Sequence, residues 1–143
     1  MMISPDMWRR WYKPLWKEVF DICKQNNAKI WLHSCGYCRP IVADFIEMGV
    51  DILNPIPPYV KDSDPLDMKQ TYGDKLCFDG GVDQMNIIVG GTPKQVKAEV
   101  KLRIEQMAKG GGYIVGPSQV FSQDVPLENA IAFFDAALEF GEY

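Results

Sequence analysis

The residues best suited to chemistry lie close together, in the stretch His33-Ser34-Cys35-Gly36-Tyr37-Cys38. Imidazole and thiolate together are donors that zinc favours, and a catalytic zinc takes three protein ligands and keeps a fourth position open. Residues two apart on a strand point the same way, so a strand ending here turns His33 and Cys35 to one side. Cys38 follows Gly36 and falls in the first turn of a helix, where the dipole favours a thiolate. His33, Cys35 and Cys38 are therefore candidate metal ligands. Packing is the competing explanation, because small internal cysteines are common in cores. The other two cysteines read as core residues, Cys23 on an apolar helix stripe and Cys77 inside a buried strand, with the barrel centre as the alternative direction for Cys77. The cysteine spacing is not that of a secreted disulfide framework, which leaves free thiols or metal ligands.

Regular elements must hold that stretch in place. Ser4-Pro5-Asp6 starts a leading helix, with a capping hydroxyl, proline in the first turn and an acid at the positive dipole end. Trp8, Trp11, Tyr12, Leu15, Trp16, Val19, Phe20 and Cys23 follow at helical spacing, so the helix runs to about residue 25 with its apolar stripe packed in the core. Pro14 kinks or breaks it. Residues 28–33 read as a strand and 39–48 as a helix closed by Gly49. Residues 50–53 form the next strand, and Ile56-Pro57-Pro58-Tyr59 is a loop. A short helix over 65–72 leads to a strand over 76–79 and a turn at Gly80-Gly81. Thr92-Pro93 starts a long helix with Val96, Val100, Ile104 and Met107 on one face. A strand over 113–115 and a loop to Pro126 precede a last helix, 127–140, carrying Ile131, Phe134, Ala137 and Leu138.

The order is α-(βα)4: a leading helix over residues 1–26, then four βα units over 27–143, in one domain. Alternation of this kind implies parallel strands joined by crossover helices. Chemistry in such folds gathers at the C-terminal ends of the strands. Here those ends are His33-Ser34-Cys35-Gly36, Asn54-Pro55, Asp79-Gly80-Gly81 and Gly116-Pro117-Ser118-Gln119, all polar or glycine-rich. Asn54, Asp79, Gly80, Gly81, Ser118 and Gln119 are accordingly read as substrate-binding positions; no residue is assigned as catalytic.

Composition excludes several alternatives. At 143 residues, 47% hydrophobic and 24% charged, the chain suits one globular domain and is too apolar for disorder throughout. Its 15 Lys+Arg against 19 Asp+Glu give a net charge of −4, which excludes nucleic acid as the main partner, since phosphate binding needs a positive footprint. No apolar run approaches the ~20 residues of a membrane span. The first residues lack the basic and then apolar regions of a signal peptide, so a cytoplasmic protein is expected.

Five motifs together, Leu32-His33-Ser34-Cys35-Gly36, Gly49-Val50-Asp51-Ile52-Leu53-Asn54-Pro55, Gly80-Gly81-Val82-Asp83, Gly110-Gly111-Gly112-Tyr113-Ile114 and Asp124-Val125-Pro126-Leu127-Glu128-Asn129, resemble the uroporphyrinogen decarboxylase superfamily. The branch they resemble most is that of the cobalamin-dependent methyltransferases. The resemblance implies a (β/α)8 barrel of which this chain matches the C-terminal half, four parallel strands with outer helices. It also implies a zinc that activates a thiol to take a methyl group from a methyl-corrinoid, with His33 and Cys35 in the first two ligand positions. The third, a cysteine in that branch, would fall near Ser118-Gln119, where this chain has none; Cys38, an acid, or an incomplete site are the alternatives.

The decarboxylase branch is the runner-up. The resemblance places its catalytic aspartate and arginine-rich segment in the N-terminal half, which this chain does not match. A third possibility is a non-catalytic half-barrel. Implied partners are a second copy of the chain or a complementary N-terminal half-barrel chain, together with a corrinoid protein.

Overall fold

The computed structural model describes residues 1–142. Four parallel strands form one sheet in chain order: β1 (Trp31–His33), β2 (Ile52–Asn54), β3 (Cys77–Val82) and β4 (Tyr113–Pro117). The helices are α1 (Pro5–Trp11), α2 (Lys13–Gln25), α3 (Val42–Met48), α4 (Pro65–Tyr72), α5 (Pro93–Met107) and α6 (Leu127–Phe140). A 3-10 turn, Arg39–Ile41, precedes α3, and a π-helical segment, Gln84–Val89, follows β3. This is the α/β architecture of four units of a (β/α)8 barrel, as the sequence predicts. No helix among the described residues is long and apolar enough to cross a membrane.

Local signals explain where the elements begin and end. The Ser4 hydroxyl accepts from the Met7 amide at the start of α1, and Asp64 accepts from the Asp67 amide at the start of α4. At α5, Thr92 and Gln95 form a reciprocal capping box, which satisfies two of the amides left without helical partners. Gly49, at φ 92°, closes α3 in the left-handed conformation that costs a β-carbon-bearing residue most.

The core lies between the sheet and the helices. Leu53 and Phe78 are register partners on β2 and β3, and both are fully buried. Val96 and Val100 of α5 and Phe45 of α3 are buried with them in one cluster, each side chain contributing about 1.5–3 kcal/mol relative to exposure. The opposite sheet face carries Trp31 and Ile114, which stay exposed. In a closed barrel that face is the interior; four strands alone leave it open.

The leading helix does break near Pro14 as expected, Tyr12 ending one helix and beginning the next with Pro14 in the second one's first turn. Several other expectations need correction. The aromatic stripe of the leading helices is only partly core: Trp8 and Phe20 are buried, while Trp11, Tyr12, Leu15, Trp16 and Val19 are exposed. The stripe is wider than the one face that this chain covers. In α6, Ile131, Phe134 and Leu138 likewise face solvent, and Phe133 and Ala136 pack inward instead. Gly80 and Gly81 are not a turn. They continue β3, at φ 108° and 88°, paired with Val115 and Gly116.

Candidate functional site

Sheet register builds the site. His33 and Asn54 are partners on β1 and β2. One step beyond the Leu53–Phe78 pair, Asn54 comes level with Asp79, and Asp79 is paired with Ile114. Side chains on one face of a parallel sheet line up in such rows. This row sits on the open face, at the C-terminal ends of the strands.

Hydrogen bonds link the row from His33 to Asp79 and extend it to Cys35. Asn54 Nδ2 donates to Asp79 Oδ2 at 2.7 Å. Asn54 Oδ1 lies 2.6 Å from His33 Nδ1, and His33 Nε2 lies 2.8 Å from Cys35 Sγ. Gln119 Nε2 donates to the same sulfur at 3.5 Å. Burial pushes the Asp79 carboxyl above its ordinary pKa, against hydrogen bonds from Asn54 and Trp31 that favour the charged form. Burial likewise raises the pKa of Cys77, whose neighbour Asp79 adds to the effect.

A cavity of about 250 Å³ opens over the row, lined by His33, Asn54, Pro55, Asp79, Pro117, Gln119 and Val120. A larger apolar cavity, about 610 Å³, lies on the other side of the 33–38 loop, with Trp8, Trp16, Phe20, Cys35 and Cys38 among its walls. His33 lines both.

The family model described as Uroporphyrinogen decarboxylase (URO-D) matches residues 1–140. The chain belongs to the uroporphyrinogen decarboxylase family. A curated relative, the uroporphyrinogen decarboxylase of Pseudoalteromonas translucida (strain TAC 125), is 32% identical over 74 residues, which cover 52% of this chain and 20% of that protein. Among solved structures, a methyltransferase from Methanosarcina mazei superposes with a TM-score of 0.78 at 25% identity, over 97% of this chain and 38% of its own. The chain thus spans well under half the length of the relatives it matches.

Within this family fold, the positions singled out from sequence separate into two groups. His33, Cys35, Asn54, Asp79 and Gln119 come together in the row and its extension. Cys38 does not join them as a metal ligand: among the described residues, no three His, Cys, Asp or Glu side chains are grouped to hold a metal. The expected lowering of its pKa by a helix dipole also fails. Cys38 is buried, and burial pushes its thiol up despite a hydrogen bond with Ser34. Its helix is a three-residue 3-10 turn.

Ser118 is enclosed in the structure, with its hydroxyl accepting from the Gln84 amide at 3.1 Å. Gly80 and Gly81 are buried. The Gly80 carbonyl accepts from the Tyr113 hydroxyl at 2.8 Å, and a Cβ on Gly80 would stand 3.2 Å from the Pro117 carbonyl oxygen. These three residues serve the packing of β3 against β4 rather than lining the cavity over the row.

Two participants were missed from sequence. Trp31 hydrogen-bonds Asp79; lying two residues before His33 on one strand, it was legible by the two-residue period. Gly116 makes room for the same carboxylate, since a Cβ there would lie 3.0 Å from Asp79 Oδ1. Nothing local in the sequence marks that contact.

Proposed function

We propose that this chain carries the thiol-activating part of a methyltransferase that moves a methyl group between a corrinoid and a thiol, with zinc held in part by His33 and Cys35. The observation that carries the reading is the 2.8 Å approach of His33 Nε2 to Cys35 Sγ, backed by Asn54 on the other ring nitrogen. A metal-bound histidine is ordinarily held through its second nitrogen in this way. The donors fit a zinc as two ligands of a set, and the described residues supply no third acid, cysteine or histidine. Zinc, when bound, lowers the pKa of a coordinated thiol so that the thiolate prevails at neutral pH. Around it, the Gln119 amide is placed to donate to sulfur, and an apolar cavity lies beside Cys35.

The likeness to a curated decarboxylase favours a second reading, turnover of a tetrapyrrole. Porphyrinogen carboxylates need cationic partners. The cavity over the row is lined by no lysine or arginine and contains Asp79, so the methyltransferase reading is preferred.

The test uses untagged protein. Zinc is measured by mass spectrometry, and demethylation of methylcobalamin by a small thiol is followed by absorbance. The expected result is zinc in the wild type and none in Cys35→Ser or His33→Ala, with Cys38→Ser retaining it. Demethylation should require zinc and Cys35. Stoichiometric metal that survives Cys35→Ser would overturn the reading. So would robust decarboxylation of uroporphyrinogen.

A further inference from the structure

We infer that Asn54 and Asp79 are a positioning pair that fixes the His33 ring in one tautomer, with the proton on Nδ1 and the bare Nε2 lone pair aimed at Cys35. Donors and acceptors along the row fix the proton. An ionised carboxylate only accepts. Asp79 therefore dictates which end of the Asn54 amide faces it, and Nδ2 donates to Asp79 Oδ2 at 2.7 Å, with the Asp79 carbonyl oxygen a weaker acceptor at 3.5 Å. That leaves Asn54 Oδ1 pointing at His33 Nδ1 across 2.6 Å. A carbonyl oxygen accepts and cannot donate, so Nδ1 must hold the proton. Nε2 is then free to accept the Cys35 S–H at 2.8 Å, or to ligate a metal in its place.

Three further observations support the assignment. Asp79 is 8% exposed, so water does not compete freely for its oxygens. Trp31 hydrogen-bonds the same carboxylate, and an indole N–H can only donate. Gly116 leaves the space the carboxylate occupies. Asn54 and Asp79, read from sequence as substrate contacts, thus act through His33. The use made of Nε2 rests on the thiol-activation reading; the tautomer itself does not.

Because His33 is the only histidine in the chain, nitrogen-15 labelling of histidine gives one imidazole spectrum. Long-range proton–nitrogen correlation on metal-free protein, recorded on the high-pH plateau of the ring nitrogen shifts, identifies the protonated nitrogen directly. The wild type should show a single Nδ1–H tautomer. Asp79→Asn changes shape least and lets the Asn54 amide turn either way, so the two nitrogen resonances should move towards each other as the tautomers mix. The exchanged pair, Asn54→Asp with Asp79→Asn, again places an obligate acceptor beside Nδ1 and a donor behind it, and should restore the single tautomer. A loss of packing alone would not be repaired by that exchange. An Nε2–H wild type overturns the proposal, as does an Asp79→Asn spectrum identical to wild type. Adding zinc to the wild-type sample separates the two readings: an Nε2 resonance that does not move sinks the metal, while the metal-free tautomer still decides the positioning pair.

Discussion

Asn54 on β2 holds His33 of β1 through a 2.6 Å contact between Oδ1 and Nδ1, and the two residues are register partners in a parallel sheet. The pairing makes the chemistry at one strand end depend on the next strand. The same dependence passes on to β3 through Asp79 and ends against β4 at Gly116. A change on β4 should therefore be felt by a histidine three strands away in sheet order.

Gly116→Ala tests the last link, between β4 and Asp79. The added methyl would stand 3.0 Å from Asp79 Oδ1 and 3.4 Å from the Gly80 backbone. Overpacking of this kind costs about 1–3 kcal/mol, partly offset by the roughly 0.4–1 kcal/mol that alanine gains over glycine through the unfolded chain. A net loss of about 1 kcal/mol is expected in denaturant melts. Most of it should vanish in an Asp79→Ala background, because the oxygen in the way is gone. An equal penalty in both backgrounds would mean that the Gly80 backbone, not the carboxylate, is what Gly116 accommodates.

The ion pairs of the leading helices predict a pH dependence. Asp44 on α3 accepts from Arg9 at 3.0 Å and from Lys13 at 2.8 Å. Burial opposes the charge on Asp44, yet the hydrogen bonds from Arg9 and Lys13 win and hold its pKa below the ordinary value. A carboxyl depressed in the folded state contributes stability that is present above the unfolded pKa of about 3.9 and is lost as pH falls through the folded value. Asp51, held down by Lys24, Lys29 and the Ile30 amide against its own burial, acts in the same direction. Asp44→Asn should cost about 1–3 kcal/mol at neutral pH, where hydrogen bonds to a charged group are strongest. It should also flatten the loss of stability between about pH 5 and pH 2. Denaturant melts across that range check both; parallel curves for variant and wild type would refute the assignment.

How far the sequence went follows from the range of each signal. Caps and breakers act within a few residues, so Ser4, Thr92 and Gly49 marked their helices from sequence alone. Strand-end chemistry was legible for the same reason: His33 closes β1 and Cys35 follows it by two residues in the loop, near enough for the ring to reach the thiol. Gly80-Gly81 misled because glycine pairs usually signal turns, whereas the close approach of β4 and Tyr113 keeps them in β3. Cys38 misled because a short 3-10 turn offers little dipole and deep burial outweighs it. The exposed stripes of α2 and α6 misled because apolar periodicity announces a face to be covered without saying which chain covers it.

The capping box of α5 supports a simple stability prediction. The Gln95 amide donates to the Thr92 hydroxyl, and Gln95 Oε1 accepts from the Thr92 amide at 2.9 Å. Thr92→Ala removes half of the reciprocal pair and should cost about 1 kcal/mol. Thr92→Ser should restore most of it, since a hydroxyl at the same position caps equally well. Thermal melts compare the three proteins, and an alanine variant as stable as wild type would show that water replaces the cap without loss.

Association is the last expectation, and the exposed apolar side chains motivate it. On α6, Leu127, Ile131, Phe134 and Leu138 recur at spacings of four, three and four and all face solvent; on α2, Leu15, Val19 and Ile22 do the same. The two helices pack on different neighbours, α6 on α5 and α2 on α3, and the outer edges of β4 and β1 have no paired strand among the described residues. Unpaired edges invite strand addition, and apolar stripes of this length mark interaction surfaces. We expect the chain to sediment above its 16.2 kDa monomer mass at low micromolar concentration. Charged residues at Ile131 and Leu138, introduced as Ile131→Lys and Leu138→Lys, should lower that mass while leaving the cooperative melt intact, because both side chains already face water. Analytical ultracentrifugation reads the outcome. A cooperatively folded wild-type monomer would show that neither the stripes nor the edges drive assembly, and an unchanged larger mass in the double variant would assign it to the strand edges or α2 instead of α6.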